Sequence, residues 1–188
     1  MPRPIIHTRR LTLRPMTLAD AAELHRLVGD VEIARNTMTI PHPYPEGMAE
    51  EWIGTHQSKF DKGEEIVFGI ERREDGAFVG VIGVIPEPHD MAEFGYWIGQ
   101  EYWNRGYATE AAAAVIDFTF RVLDVNRIEA LHFIRNPASG RVMEKCGMKH
   151  EGTLRQARKK GDEYLDVKVY AILRSDWERD ETPGSFVQ

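Results

Sequence analysis

The 188-residue chain contains a single cysteine and no long apolar run. Because Cys146 has no second cysteine to pair with, the chain cannot form an internal disulfide. No stretch approaches the roughly 18 apolar residues that a membrane-spanning helix needs, and residues 1–10 lack the apolar core of a signal peptide. We therefore expect a cytoplasmic protein. Cys146 precedes Gly147 at a predicted helix end, which favours core packing over a role as a nucleophile.

The sequence also lacks a basic excess and a metal-binding pattern. Its net charge of −6 opposes binding to nucleic acid, which needs a basic surface. The seven histidines include no i, i+4 pair and have no carboxylate at metal-site spacing, so we expect no metal. With 42% hydrophobic and 29% charged residues, the chain is typical of one globular domain over residues 1–188, with a loose tail at 178–188.

The central stretch of the chain combines a strand, a turn and a long apolar helix. Residues 91–98 predict a strand, and residues 108–123 predict a helix with an apolar surface wide enough to pack against a sheet. The turn between them contains Gly106 and small residues, so N–H groups at the helix start have no partners and little cover. The turn is either a tight connection or an anion site, for which a diphosphate is a plausible ligand. It lacks the glycine patterns of nucleoside triphosphate and dinucleotide sites.

The remaining predicted elements complete an α/β arrangement. They are a strand at 10–14, a helix at 17–28, a short helix at 30–35, a helix at 45–61, strands at 65–72 and 77–85, a strand at 127–135, a helix at 139–146, and a hairpin over 149–174 that turns at 160–162. We expect Pro86 and Pro88 to end the strand at 77–85, since proline interrupts a strand ladder.

Three stretches carry a family resemblance. They are residues 93–98 (EFGYWI) followed by 102–111 (YWNRGYATEA), residues 136–139 (NPAS) followed by 144–148 (EKCGM), and residues 41–45 (PHPYP). Together they resemble the GNAT acetyltransferases, specifically the branch that contains the RimJ and RimL protein N-terminal acetyltransferases, and the resemblance covers nearly the whole chain. The general GNAT pyrophosphate pattern begins with Gln or Arg, whereas this chain has Trp103 there. The departure matters little if the backbone binds the phosphates, as it does in the resembled family.

The resemblance implies an α/β GNAT fold with a mixed central sheet of about seven strands, splayed between strands 4 and 5 and flanked by helices. The thioester arm of acetyl-CoA, the implied cosubstrate, would enter this gap, where peptide groups that have lost their neighbour can bond the pantetheine amides. The implied cofactor-binding residues are Trp97, Ile98, Asn104, Arg105, Gly106, Tyr107, Ala108, Thr109 and Asn136, the first two mainly through their backbone.

The implied reaction is direct transfer of an acetyl group from acetyl-CoA to an amine. By resemblance, Ser139 protonates the leaving thiolate, and Glu93 is our choice of base, acting through water. A backbone N–H near Trp97 or Ile98 would bind the oxyanion. Simpler alternatives exist, because Ser139 or Asn136 could merely cap the helix and Glu93 could be an exposed strand carboxylate.

The acceptor side is less well defined by the sequence. In the resembled family the proline-rich loop borders the acceptor, so Met38 and Tyr44 are expected substrate-wall residues, unless the loop is only a spacer. In RimL-like proteins an acidic residue on the final hairpin is a proposed base, but the spacing puts Arg158 there, and arginine cannot act as a base at neutral pH. The basic run that includes Arg155, Arg158, Lys159 and Lys160 is more typical of a solvated turn than of a site.

The cost of deprotonation favours one class of acceptor. At pH 7 a lysine side chain must give up its proton at a cost of about 4–5 kcal/mol, whereas an α-amine needs only about 1–1.4 kcal/mol. We therefore expect a protein or peptide N-terminus, with a small-molecule amine as the alternative within enzymes. A non-catalytic acetyl-CoA sensor is the rival from another class. A homodimer is a further expectation from the resembled branch, whereas nucleic acid and membrane are not expected partners.

Overall fold

The computed structural model describes residues 2–180, so Met1 and residues 181–188 of the predicted tail lie outside the described residues. Eight strands form one mixed sheet in the order β1-β2-β3-β4-β5-β6-β8-β7. The strands are β1 (Ile6–His7), β2 (Leu11–Arg14), β3 (Ile66–Arg72), β4 (Phe78–Glu87), β5 (Met91–Ile98), β6 (Arg127–Phe133), β7 (Lys149–Lys160) and β8 (Glu163–Leu173). The helices are α1 (Ala21–Val28), α2 (Val31–Asn36), α3 (Met48–Asp61), α4 (Tyr107–Val122), α5 (Pro137–Lys145) and α6 (Arg174–Asp180).

The prediction of a mixed sheet flanked by helices is confirmed, with one more strand than expected. The additional strand is β1, whose Ile6 pairs with Leu13 of β2. Two residues are too few to show the alternation that identifies a strand. Helix α6 includes residues 178–180, which the sequence assigns to a loose tail. The Trp177 ring stacks on Phe120 of α4 with 5.3 Å between ring centroids, which gives α6 an apolar anchor.

Strand β4 continues through Pro86, so the prediction that this proline ends the strand is wrong. Residues of β4 alternate between bonding β3 and bonding β5. Val79 accepts the Gly99 N–H on the β5 side at 2.9 Å, so the backbone of Pro86 faces the β3 side. Strand β3 begins at Ile66, which pairs with Val84. No residue of β3 lies opposite Pro86, and its missing N–H therefore costs no hydrogen bond.

The helices cover the two faces of the sheet. Helix α4 packs on one face through buried residues spaced three and four apart, each large apolar side chain stabilising the fold by roughly 1.5–3 kcal/mol. The buried residues of α4 are Tyr107, Ala111, Ala112, Val115, Ile116, Thr119 and Phe120. Helices α1 and α3 share a second cluster with Val67, Val81 and Trp97 on the opposite face. Within residues 2–180, every helix is too short or too polar to cross a bilayer.

Replacing Gly80 should disturb the pairing of β4 with β5. A Cβ atom at Gly80 would lie 2.3 Å from the Trp97 carbonyl oxygen and 2.9 Å from the Ile98 Cα, and both are backbone atoms that cannot rotate away. We expect Gly80→Ala to lower the free energy of unfolding in urea by about 1–3 kcal/mol. Gly54 of α3 has no neighbour within 4 Å of its added Cβ. Gly54→Ala should therefore raise stability by roughly 0.5–1 kcal/mol, and equal effects of the two substitutions would contradict the tight contact at Gly80.

Candidate active site

Strands β5 and β6 pair over a short distance and then separate. The paired residues are Met91 with Arg127, Ala92 with Ile128, and Glu93 with Glu129, in parallel orientation. Beyond Glu93, β5 stays paired with β4 as far as Ile98, and β6 stays paired with β8 as far as Phe133. The two strands have therefore lost each other as partners but not their outer neighbours. The expected splay is confirmed, and it leaves a gap within the sheet.

Alternate peptide groups of β5 face this gap. The Gly99 N–H donates to a carbonyl of β4 at 2.9 Å. Peptide groups two residues apart in a strand point the same way, so those of Trp97 also face β4 while those of Tyr96 and Ile98 face the gap. The expected backbone contact with a ligand in the gap thus fits Ile98 and not Trp97. Sequence patterns alone did not show which of these two adjacent residues has its backbone N–H and carbonyl facing the gap.

The turn before α4 leaves the helix start open. Asn104 and Gly106 both have left-handed backbone conformations, with φ of 60° and 79°, and the N-cap residue Gly106 has no side chain with which to cap the helix. The Glu110 N–H is the first to bond back, to the Gly106 carbonyl at 3.0 Å. The preceding N–H groups have no intrahelical partner. They belong to Tyr107, Ala108 and Thr109. Together with the exposed Asn104 and Arg105, these groups form a concentration of donors at the positive end of the helix dipole.

Side chains from the start of the chain hold the turn in place. Arg10 donates to the Arg105 carbonyl at 2.9 Å, and its Nε pairs with Glu110 Oε2 at 2.7 Å. Glu110 also accepts from the Thr8 hydroxyl at 2.7 Å and from the Arg10 N–H at 2.8 Å. Burial raises the Glu110 pKa, but these hydrogen bonds outweigh it and hold the pKa below its ordinary value. The carboxylate therefore stays ionised at the helix start.

Trp103, the departure from the general family pattern, has a structural role at the same turn. Its indole Nε1 donates to the Ile98 carbonyl at 2.6 Å. The contact ties the turn to the end of β5, and it occupies the Ile98 carbonyl. The Ile98 N–H, which faces the gap as this carbonyl does, is then the backbone group of Ile98 that remains for a ligand.

Ser139 contacts a tyrosine that the sequence did not single out. Its Oγ lies 2.9 Å from the Tyr96 hydroxyl, which reaches from β5 to the start of α5. Burial raises the Tyr96 pKa to about 12, so the phenol keeps its proton. Asn136 Oδ1 accepts the Ser139 N–H at 3.3 Å, so Asn136 does cap α5. The signal for Tyr96 was available in principle, as a polar aromatic at an alternate position of β5.

Glu93 is at the last paired position before the strands separate, opposite Glu129. Burial raises the Glu93 pKa above its ordinary value, the nearby Glu129 and Glu87 add to the rise, and Arg158 opposes it. Glu129 pairs with Arg127 at 2.7 Å. Glu93 is therefore half-buried and more basic than a typical carboxylate, which is the property that a general base needs near neutral pH.

Open space lies beside Glu93 on the same face of β5. Side chains alternate along a strand, so Glu93, Gly95 and Trp97 project from one face while Tyr96 projects from the other. A Cβ atom at Gly95 would have no neighbour within 4 Å, and Gly95 is exposed. The glycine therefore leaves room next to the carboxylate. A ligand in the gap would have Glu93 on one side of the sheet and the pair formed by Tyr96 and Ser139 on the other.

The two expected substrate-wall residues lie in different surroundings. Met38 is 39% exposed, whereas Tyr44 is half-buried with its ring edge-on to His25 at 5.5 Å. Burial raises the Tyr44 pKa. Tyr44 packs against the cluster that contains Trp97.

Lys160 links this wall to the β7–β8 hairpin. Its ammonium donates to the carbonyls of Thr37 at 2.6 Å and Ile40 at 2.8 Å, and also to the carbonyl of Ala34 near the end of α2. A cation is favoured there because the C-terminal end of a helix is the negative end of its dipole. The interpretation of the whole basic run as a solvated turn is therefore wrong for Lys160, whose contacts are far away in sequence. Met38 lies within the segment that Lys160 holds.

Comparisons with known proteins agree with this geometry. The family described as the acetyltransferase (GNAT) domain matches residues 10–149. The N-acetyltransferase YoaA of Bacillus subtilis (strain 168) is 33% identical over 173 residues, which cover 91% of this chain and 97% of that protein. Spermidine N(1)-acetyltransferase of Vibrio cholerae is 26% identical over 170 residues, which cover 89% of this chain and 95% of that protein.

Solved structures share the fold. An acetyltransferase (GNAT family) from Bacillus anthracis superposes with a TM-score of 0.82 at 26% identity, covering 92% of this chain and 99% of that one. RimL, a ribosomal L7/L12 alpha-N-protein acetyltransferase solved with coenzyme A, also has a TM-score of 0.82, covering 90% of this chain and 98% of its own; its 21% identity supports the fold alone. With a family match over well above half of its length and a strand gap of the expected form, this chain belongs to the GNAT acetyltransferase family.

Proposed function

We propose that this N-acetyltransferase transfers the acetyl group of acetyl-CoA directly to the α-amine of a protein or peptide N-terminus. The observation that carries the proposal is the position of Glu93, a half-buried carboxylate of raised pKa where β5 and β6 separate. A carboxylate that accepts a proton more readily can assist an α-amine, whose deprotonation at pH 7 costs about 1–1.4 kcal/mol, better than a lysine side chain, which needs about 4–5 kcal/mol. One modest base is enough for the α-amine.

The proposed acetyl-CoA site follows the gap and the start of α4. The diphosphate would bind the N–H groups of the turn and first helical residues, from Asn104 to Thr109, where each hydrogen bond to a charged group contributes roughly 1.5–3 kcal/mol. The pantetheine arm would use the gap-facing peptide groups of β5, including the Ile98 N–H. Asn136, with its oxygen engaged in capping α5, has its amide NH₂ to offer to the arm.

The proposed chemistry divides between the two faces of the sheet. Glu93 accepts a proton from the amine through water, and the amine nitrogen then attacks the thioester carbonyl carbon. A gap-facing N–H of β5 binds the tetrahedral oxyanion, which is worth about 2.7–4 kcal/mol. The C–S bond then breaks as the oxyanion re-forms the carbonyl, and Ser139 gives its proton to the thiolate while Tyr96 donates a hydrogen bond to the Ser139 oxygen. The second proton of the attacking nitrogen then leaves through water and restores the Ser139 hydroxyl. Because its pKa is about 12, Tyr96 serves this relay as a hydrogen-bond donor.

A small-molecule amine is the second candidate acceptor. The match to a spermidine N(1)-acetyltransferase over 89% of this chain supports it. Release of free thiol from acetyl-CoA, measured over a panel of N-terminal peptides, lysine peptides and polyamines, separates the two. Turnover of peptides with a free α-amine supports the first proposal, and turnover of polyamines alone supports the second. Acetyl-CoA binding without turnover of any amine would support a sensor.

Acetyl-CoA should raise the thermal midpoint of the wild type, by an amount equivalent to about 2.7 kcal/mol at 100 times its dissociation constant. We expect Gly106→Ala to weaken this effect, because its φ of 79° strains an alanine by roughly 1–2 kcal/mol and the added Cβ lies 3.3 Å from Arg10 Nη2. Gly76→Ala, at a φ of 73° in the β3–β4 turn, is a matched control for strain alone. An equal ligand-induced shift in both variants would rule out the turn as the diphosphate site.

The pH dependence of catalysis should depend on Glu93. Since the base is active only when ionised, kcat/KM should fall as pH drops through the Glu93 pKa, which burial raises above the ordinary value of a carboxyl. Glu93→Gln should lower kcat by about 10²–10⁴-fold and remove this acidic limb. Glu129→Gln should keep activity and move the limb to lower pH, because the Glu129 charge contributes to the rise. An unchanged acidic limb in Glu93→Gln would assign the base to another group.

Removing the Ser139 hydroxyl should slow departure of the thiolate. We expect Ser139→Ala to lower kcat by about 10²-fold with little change in KM for acetyl-CoA. Tyr96→Phe should have a smaller effect in the same direction, because it removes only the second donor of the relay. Asn136→Ala is the control for the capping role, and it should lower stability by about 1 kcal/mol. If Ser139→Ala loses stability instead of turnover, Ser139 is structural.

A further inference from the structure

Arg158 is a half-buried arginine that has no acidic partner among the described side chains. Its guanidinium donates to the carbonyl of the adjacent Ala157 at 3.1 Å. Within residues 2–178, whose side chains the structure describes, no carboxylate oxygen lies within the 4.0 Å that defines an ion pair with it. Two other half-buried arginines, Arg127 on β6 and Arg135 just after β6, are matched to Glu129 and Glu163. A guanidinium that is partly removed from water and lacks a carboxylate is ready to bind one from a ligand.

The register places Arg158 on the face of the sheet that carries Glu93. Arg158 pairs with Leu165 of β8, so the two side chains share a face. Leu165 packs in a small apolar cluster with Phe133 and Val167. Phe133 is an even number of residues from Glu129, which pairs with Glu93 in β5. All these side chains therefore project from one face.

Arg158 and Glu93 interact without touching. The guanidinium lowers the Glu93 pKa against the effect of burial, yet the pair lies beyond ion-pair distance. Of the other charges near Glu93, Glu129 is bound by Arg127, which also binds Glu151, and Glu87 is exposed to solvent. The face thus presents one half-buried carboxylate and one half-buried guanidinium, with the space above Gly95 next to the carboxylate.

We infer that Arg158 binds a carboxylate of the acceptor, so that the preferred acceptor is an amine with a carboxylate near its reacting nitrogen. The inference rests on the proposed function, in which Glu93 receives the amine. An amine that is also an anion matches the two charges of this face, whereas a polyamine would bring a second cation towards the guanidinium. Two kinds of acceptor supply such a carboxylate. One is a free amino acid, through its main-chain carboxylate, and the other is a peptide with an acidic side chain next to its N-terminus.

The test compares acceptors that differ only in charge. The first pair is free alanine and alaninamide. The second series compares the peptide amides Ser-Glu and Ala-Glu with Ser-Gln and Ala-Gln. For each acceptor, kcat/KM is measured in the wild type and in Arg158→Gln. The preference of each protein is its kcat/KM for the charged acceptor divided by its kcat/KM for the neutral one. Dividing the wild-type preference by that of the variant cancels the different basicities of the amines. We expect the wild type to prefer one carboxylate series at least tenfold and Arg158→Gln to lose that preference. The series that responds identifies the source of the carboxylate.

Three further variants make the test specific. Arg158→Lys should keep part of the preference, because it retains the charge but not the two-pronged geometry. Arg158→Glu should shift the preference towards spermidine. Arg155→Gln, an exposed arginine on the same strand, should change nothing. Binding of N-acetylalanine and its amide to the coenzyme A complex, by calorimetry, gives the same comparison without turnover.

The two proposals fail in different ways. If no variant changes the ratio between charged and neutral acceptors while acetyl-CoA still stabilises the protein and an amine is acetylated, Arg158 does not bind the acceptor and the inference is overturned alone. If acetyl-CoA neither binds nor reacts, the proposed function fails and the inference falls with it. If the preference for charged acceptors disappears only in Arg158→Gln and Arg158→Glu, the result supports both the proposed function and the role of Arg158.

Discussion

The separation of β5 and β6 is the constraint on which the rest of the site depends. A strand inside a sheet normally bonds on both sides, and a buried N–H or carbonyl left without a partner costs about 1–3 kcal/mol. From Glu93 onward β5 has β4 on one side and a gap on the other. The sheet is therefore incomplete where a ligand with amide groups can complete it. The peptide groups that face the gap are determined by strand alternation, since the outer ladder to β4 stays in register as far as Ile98.

Every other part of the candidate site is positioned relative to that gap. Helix α4 follows the end of β5 after a tight turn, so its unpartnered N–H groups lie close to the end of the open strand. Helix α5 follows β6 on the other side, and the hydrogen bond between Tyr96 and Ser139 spans the two sides. Glu93 occupies the last paired position, where the strands begin to separate. The proposed diphosphate site, the proposed relay and the proposed base thus all lie around a single break in the sheet.

The charge distribution adds a second level of organisation. The chain is acidic overall, and half-buried arginines near the site bind carboxylates of the chain, as Arg10 binds Glu110 and Arg127 binds both Glu129 and Glu151. These pairs hold backbone segments in place. Lys160 does the same with carbonyls near the end of α2. Against this background, the unmatched Arg158 and the raised pKa of Glu93 stand out as charges left available for a ligand.

The sequence by itself determined the fold family through the resemblance of its motifs. It also determined the bounds of β5 and the position of α4 almost to the residue, because long periodic patterns and a glycine turn are local properties. It did not show β1, which is too short for a pattern, nor α6, which depends on Trp177 packing against α4. It also misjudged Pro86, whose missing N–H is harmless only because β3 begins too late to lie opposite it.

The candidate site likewise combines residues that the sequence identified with contacts that only the folded chain shows. Residue types and spacing identified Gly106, Ser139 and Glu93 as candidates, whereas only the tertiary structure placed Tyr96 against Ser139, turned the Trp97 backbone towards β4 and brought Arg158 onto the face of Glu93. These relations join strands that are distant in sequence. Pairing and burial between such strands are properties of the folded chain, and no local pattern encodes them.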